Sequence, residues 1–168
     1  MASALKNLSD YDPNNIPNAE AMSFGIVVSE YHQQITFALK DGCIETLLKH
    51  GAKEENIYIE YVPGAYEMPI GAKIIADQQK LDAVITLGCV IKGETDHDKY
   101  INQSVASALM NLNLVKGIPF VFGLLTPNTE EQAKERAGGK HGNKGVEAAI
   151  TAIKMAAKLI KPKKKLGF

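Results

Sequence analysis

His97 is the side chain of this sequence best equipped to move a proton. An imidazole takes and gives a proton near neutral pH, and here it closes the run G-C-V-I-K-G-E-T-D-H, with Glu94, Asp96 and Asp98 around it. Taken alone, a histidine in a polar loop is as ordinary on a surface as in a catalytic site. Arg136, Lys140 and Lys144 form a second cluster around the glycine-rich stretch A-G-G-K-H-G-N-K-G. An arginine fork with nearby lysines holds a phosphate well. The plainer alternative, slightly favoured by pattern alone, is that Arg136 and Lys140 offset the C-terminal dipole of a short helix. Tyr31 and Tyr66 follow apolar runs, and Phe122 lies within one. Aromatic rings at the mouth of a sheet suit a planar heterocycle, although Phe122, within a core strand, reads more strongly as core than the two tyrosines do. Glu67 favours a helix start and can also accept hydrogen bonds from sugar-like hydroxyls. Cys89 has no adjacent base and reads as a small buried hydrophobe.

The elements that must position these residues alternate between strand and helix. Apolar runs at Ser23 to Val28, Ile57 to Val62, Ala83 to Ile91 and Pro119 to Leu125 are continuous rather than alternating in polarity, as in parallel strands covered on both faces. Helical periodicity follows each one. It runs from Ile35 to Leu48 with Gly51 as a cap, from Tyr66 to Ala76 with Pro69 in the first turn, and from Ile101 to Leu112. A short helix at Glu130 to Ala137 and a last one at Val146 to Ile160 complete the pattern. This predicts a three-layer α/β/α sandwich around a four-stranded parallel sheet with right-handed crossovers. Its site belongs outside the carboxyl ends of the strands, where Ser29 to His32, Pro63 to Glu67, Lys92 to His97 and Thr126 to Thr129 form loops.

The chain has 168 residues, the size of one domain. Residues 1–21, with Pro13 and Pro17, read as an irregular arm able to pair with a neighbour's sheet edge. Residues 22–161 form the domain, and 162–168 a basic tail. Acids and bases balance at 19 each, so no global field attracts nucleic acid or an anionic membrane. Two cysteines in apolar contexts, the absence of a secretory signal and the lack of any membrane-length apolar run point to the cytoplasm or another reducing compartment. There is no dinucleotide fingerprint, Walker loop, nucleophile elbow or zinc-ligand spacing, so no cofactor or metal is expected.

Three segments in order carry a family resemblance: V-P-G-A-Y-E at Val62 to Glu67, L-G-C-V-I-K-G-E-T-D-H at Leu87 to His97, and E-Q-A-K-E-R-A-G-G-K-H-G-N-K-G at Glu131 to Gly145. Over about Ser23 to Ile160 the chain resembles the 6,7-dimethyl-8-ribityllumazine synthases of riboflavin biosynthesis, which have a flavodoxin-like fold. The resemblance implies condensation of 5-amino-6-(D-ribitylamino)uracil with 3,4-dihydroxy-2-butanone 4-phosphate, without cofactor or metal. It makes His97 the proton shuttle and Arg136 the phosphate clamp, aided by backbone groups of Gly93, Glu94 and Thr95. Tyr31 would stack on the pyrimidine, Ala65, Tyr66 and Glu67 would line the ribityl chain, and Val90 and Ile91 would read the pyrimidine edge. Phe122 and Lys144 resemble residues supplied by an adjacent subunit of a pentamer, which in many members builds a 60-subunit shell. The uninterrupted G-G-K-H-G-N-K-G connection resembles shell-forming members. Departures from the family pattern are Lys92 for arginine, Tyr31 for Phe or Trp, His32 for asparagine, and Pro127. Rival readings are a riboflavin synthase of the archaeal type, a non-catalytic flavin-binding shell protein, and an unrelated flavodoxin-like domain.

Overall fold

Unbroken apolar strands form here because both sheet faces are covered. In the computed structural model, which describes residue 7 and residues 9–160, the main sheet has four parallel strands in the order β2-β1-β3-β4. They are β1 (Phe24–Ser29), β2 (Ile57–Val62), β3 (Ala83–Cys89) and β4 (Phe120–Leu125). The two inner strands, β1 and β3, are buried at every position. Alternate side chains feed two cores. Phe24, Ile26, Val28, Ile85 and Leu87 meet α1 (Gln33–Lys49) and α5 (Lys144–Ile160) on one side. Val27, Val84 and Leu124 meet α2 (Met68–Gln78) and α3 (His97–Lys116) on the other. The expected three layers and four-stranded parallel sheet are therefore present, with residue-level changes at the ends.

Those changes have local causes. The tract after β3 does not end as a loop at His97: His97 is already the first residue of α3, following Asp96 at the N-cap. The short helix α4 (Glu130–Glu135) stops two residues before the expected Ala137, because the chain turns into a hairpin of β5 (Ala137–Gly139) and β6 (Gly142–Asn143). Gly138 and Gly142 take positive φ there, a conformation that costs other residues steric strain. Helix α5 starts at Lys144, before the expected Val146, because the Asn143 carboxamide accepts from the Gly145 N–H at 2.8 Å and donates to the Ala38 carbonyl at 2.9 Å. This docks the start of α5 on α1. Among the described residues of the arm, Ser9 bonds both the N–H and carbonyl of Asn143, and Tyr11 lies 3.0 Å from His50 Nε2. Pro13–Asn15 form one 3-10 turn. The expected tail at 162–168, and residues 1–6 and 8 of the arm, lie outside the described residues. No helix among the described residues is long and apolar enough to cross a membrane.

Candidate active site

The strands end at different heights, and that difference makes a cavity. Strand β1 pairs with β3 only as far as Val28 and Leu87, whereas the chain after β3 runs on beside the segment after β4. Val90 N–H donates to the Leu125 carbonyl at 2.9 Å and Lys92 N–H to the Pro127 carbonyl at 3.0 Å. Ile91 lies between these two, so alternation turns its N–H and carbonyl the other way, over the carboxyl end of β1. The chain leaving β1 is drawn toward β2 instead, through Glu30 N–H to Val62 O at 2.9 Å and Tyr31 N–H to Pro63 O at 3.1 Å. Between the two lies a cavity of about 600 Å³, a size that suits a small organic substrate.

Its walls come from three places. Tyr31 and His32 with Gly64, Ala65, Tyr66 and Glu67 form one side, and Cys89, Val90 and Ile91 form the floor. The first two turns of α3 supply His97, Tyr100, Ile101 and Ser104, a single helical face. Tyr31, Tyr66 and Tyr100 are 68%, 62% and 70% exposed, so rings able to stack on a heterocycle stand open at the mouth. Gly64 leaves its neighbours their present positions: a Cβ there would lie 3.0 Å from the Tyr31 ring and 3.1 Å from Glu67 Oε2, so both would have to shift slightly. The His97 backbone N–H is 3.4 Å from Thr95 Oγ1, and the Asp96 carboxylate pairs with Lys99 at 2.7 Å rather than with the imidazole. Burial pushes the Cys89 thiol up to about 12, so it carries almost no thiolate at neutral pH. His32 is the one non-glycine residue with positive φ among the described residues, at φ 60 and ψ 48. That conformation costs about 1 kcal/mol or more for a residue with a Cβ.

The cationic cluster lies outside this lining. Arg136 caps α4, and its guanidinium donates to the His141 carbonyl at 2.6 Å and to Glu147 Oε1 at 2.5 Å. Lys144 Nζ meets the other Glu147 oxygen at 3.1 Å. The resemblance divides Arg136 and Lys144 between subunits, but in the folded chain one carboxylate holds both. Phe122 sits on the edge strand β4, 37% exposed, and does not line the cavity either. Gly93, Glu94 and Thr95 form the exposed loop just before His97; a Cβ at Gly93 would meet nothing within 4 Å.

The structure thus brings together Tyr31, Ala65, Tyr66, Glu67, Val90, Ile91 and His97. It leaves Phe122, Arg136 and Lys144 elsewhere on the same chain. Residue-type reasoning missed Tyr100, Ile101 and Ser104, which spacing of three, four and seven residues from His97 along one helix face would have found. It also missed Glu147, three residues after Lys144 on the same helix face.

A family model described as 6,7-dimethyl-8-ribityllumazine synthase matches residues 21–159. The 6,7-dimethyl-8-ribityllumazine synthase of Parabacteroides distasonis is 52% identical over 155 residues, covering 92% of this chain and 97% of the relative. That of Flavobacterium psychrophilum is 51% identical over 168 residues, covering all of this chain and 88% of the relative. The enzyme of that name from Cytophaga hutchinsonii is 51% identical over 160 residues and is covered along its whole length. With a family model matched over residues 21–159 and relatives about half identical over most of their length, the chain belongs to the 6,7-dimethyl-8-ribityllumazine synthase family.

Proposed function

We propose that this protein condenses 5-amino-6-(D-ribitylamino)uracil with 3,4-dihydroxy-2-butanone 4-phosphate to give 6,7-dimethyl-8-ribityllumazine, with release of water and inorganic phosphate. The observation that carries this reading is the single cavity uniting His97 with Tyr31, with Ala65 to Glu67, and with the free backbone edge at Ile91. Tyr31 stacks on the pyrimidine, and Val90 and Ile91 offer main-chain groups to its edge. Ala65, Tyr66 and Glu67 follow the ribityl hydroxyls. The uracil's amine attacks the ketone carbon, a C=N bond forms and water leaves. Loss of a carbon-bound proton then accompanies cleavage of the C–O bond to phosphate; the resulting enol becomes a second ketone, which the ribityl-bearing nitrogen attacks to close the ring with loss of a second water. His97 carries protons in these steps, at the entrance of α3 where the reacting carbons come closest.

Phosphate departs into groups that hold its charge: the Gly93 to Thr95 backbone just before α3, and Arg136 with Lys144 acting as one unit through Glu147. Holding the two substrates side by side supplies much of the remaining acceleration. The protein acts as a homo-oligomer, with Phe122 reaching an adjacent subunit's cavity from its exposed edge strand. The finer reading is a pentamer, assembled further into a 60-subunit shell. Exposed Ile70 and Ile74 on α2, with Met110, Leu114 and Val115 on α3, support burial against other copies.

The test mixes both substrates with wild type, His97→Ala and Arg136→Ala, following lumazine absorbance and phosphate release. His97→Ala is expected to lower turnover by about 100-fold or more with heterocycle binding retained. Arg136→Ala is expected to raise KM for the butanone phosphate only. Wild type that forms no lumazine would overturn the assignment, and normal Arg136→Ala kinetics would overturn the phosphate clamp. Light scattering that gives a single chain at every concentration would remove the oligomer.

A further inference from the structure

We infer that Ser9 of the N-terminal arm is a positioning residue for the phosphate-binding cluster, its hydroxyl fixing the main chain of Asn143 just before Lys144; this rests on the phosphate site proposed above. Strand β6 is one edge of a hairpin sheet that has two strands among the described residues. Lys144 N–H donates inward to the Arg136 carbonyl at 2.9 Å, so alternation turns the N–H and carbonyl of Asn143 outward, away from β5. Those outward groups need a partner that the hairpin does not supply. Ser9 supplies it with one side chain. Its Oγ accepts from Asn143 N–H at 2.6 Å and donates to the Asn143 carbonyl at 2.9 Å. A hydroxyl suits the place because it is donor and acceptor at once.

The arm itself is fixed on both sides of that hydroxyl. Asn7 Oδ1 accepts from Ser9 N–H at 2.9 Å, an Asx turn that orients the serine, and Tyr11 is tied to His50 at 3.0 Å. Gly142 is buried although half-buried residues flank it, and a Cβ on it would collide with the Asn7 and Ser9 side chains. The arm therefore lies directly on the G-N-K-G segment, where Ser9, Asp10 and Tyr11 share a cavity of about 250 Å³ with Glu147. With Ser9 in place, all four polar groups of Asn143 are engaged, because its carboxamide bonds Ala38 and Gly145. The next residue is Lys144, whose ammonium meets Glu147 Oε2 at 3.1 Å. Arg136 reaches the other Glu147 oxygen and the His141 carbonyl of the same hairpin. Without the serine hydroxyl the cluster keeps its charges and loses the strap that sets its direction. The loss falls on phosphate and not on the heterocycle, whose cavity is lined by none of these residues.

Ser9→Ala and Ser9→Thr separate the hydroxyl from the rest of the arm. The readouts are KM for each substrate, the calorimetric Kd of inorganic phosphate, and fluorescence titration with 6,7-dimethyl-8-ribityllumazine. All are taken well below the melting temperature of each variant, so that partial unfolding does not enter. Expected for Ser9→Ala is a KM for the butanone phosphate and a Kd for inorganic phosphate raised about 3- to 10-fold, with KM for the ribitylaminouracil and the lumazine Kd unchanged. Ser9→Thr, which keeps the hydroxyl, should recover most of the phosphate affinity. Wild-type phosphate affinity in Ser9→Ala would overturn the proposal, as would equal weakening toward phosphate and lumazine, the mark of a general loss of structure. A wild type that binds inorganic phosphate but forms no lumazine would overturn the proposed reaction alone, and the phosphate Kd of Ser9→Ala would still decide the role of Ser9.

Discussion

Gly145→Ala tests whether the G-N-K-G segment is built for docking as well as for anion binding. A Cβ at Gly145 would lie 1.8 Å from the Leu39 carbonyl oxygen and 2.7 Å from its carbon. Carbon–oxygen contacts settle near about 3.3–3.6 Å, so α5 must retreat from α1 by about 1.5 Å. The obstacle is main chain, and no rotamer relieves it. Buried Leu39 and Cys43 on α1 and Ala149 and Ile153 on α5 share this core, and a radial gap of about 0.5–1 Å already forfeits a quarter to a half of each contact. Overpacking of this kind costs about 3 kcal/mol, and alanine's better helix propensity returns at most about 1 kcal/mol. A net loss of about 2 kcal/mol lowers the melting temperature by about 4–8 °C in a chain of this length. Gly93→Ala is the matched control: its Cβ meets nothing, and melting should shift by less than about 2 °C. Both are measured by scanning calorimetry at equal protein concentration, since assembly couples to stability. The first turn of α5 carries Lys144 and Glu147, so Gly145→Ala should also weaken use of the butanone phosphate. A Gly145→Ala protein melting within 1 °C of wild type would refute the docking argument.

Three further outcomes follow from the same geometry. Burial raises the Cys43 thiol and pushes Cys89 up to about 12, so neither should react with a disulfide reagent at neutral pH until the protein is denatured; rapid native labelling of Cys89 would show that the cavity floor opens. Desolvation, then the Lys49 charge, hold His50 below the usual imidazole range, beside the Tyr11 hydroxyl. The folded state thus binds this proton less well than the unfolded chain. Its stabilising contribution is complete above the ordinary value of about 6.5 and is lost as pH falls through the lowered folded value. Urea titrations between neutral and mildly acidic pH should show that slope in wild type and a shallower one in His50→Gln. Gly64→Ala should leave melting unchanged within about 0.5 kcal/mol, because the exposed Tyr31 ring can yield, yet weaken lumazine binding by displacing Tyr31 and Glu67; unchanged binding calorimetry would separate those two from the ligand.

The sheet was legible because burial on both faces erases polar alternation. Phe24 to Val28 and Ala83 to Cys89 leave no solvent face, the pattern of covered parallel strands when helical periodicity follows each run. The β5–β6 hairpin was not legible for the opposite reason. Its strands are three and two residues of mostly glycine, with no side chains to make a period. What forms it is backbone at positive φ, together with the Asn143 carboxamide reaching Ala38, a contact 105 positions away in sequence. Helix starts at His97 and Lys144 were missed for a related reason. Polar first turns carry no apolar stripe, so periodicity begins only at Ile101 and Val146.

The site divides along the same line between local and distant determinants. Loops at the carboxyl ends of parallel strands must lie together, and that rule alone places Tyr31, Tyr66, Ile91 and His97 around one crevice. No such rule governs Arg136, whose direction depends on the hairpin and on Glu147 across a turn. Sequence left its charge open between a phosphate ligand and a helix-end partner; in the folded chain it stands at the C-cap of α4 and pairs with the Glu147 carboxylate. That pairing bears on how the reaction can work. A guanidinium and an ammonium pinned on one carboxylate keep a single net positive charge and a fixed separation, so little side-chain freedom remains to be lost when a dianion arrives. Under the proposed phosphate role, Glu147 is the template for the two cations, and Glu147→Gln is expected to leave them charged but unaimed, costing positioning more than attraction.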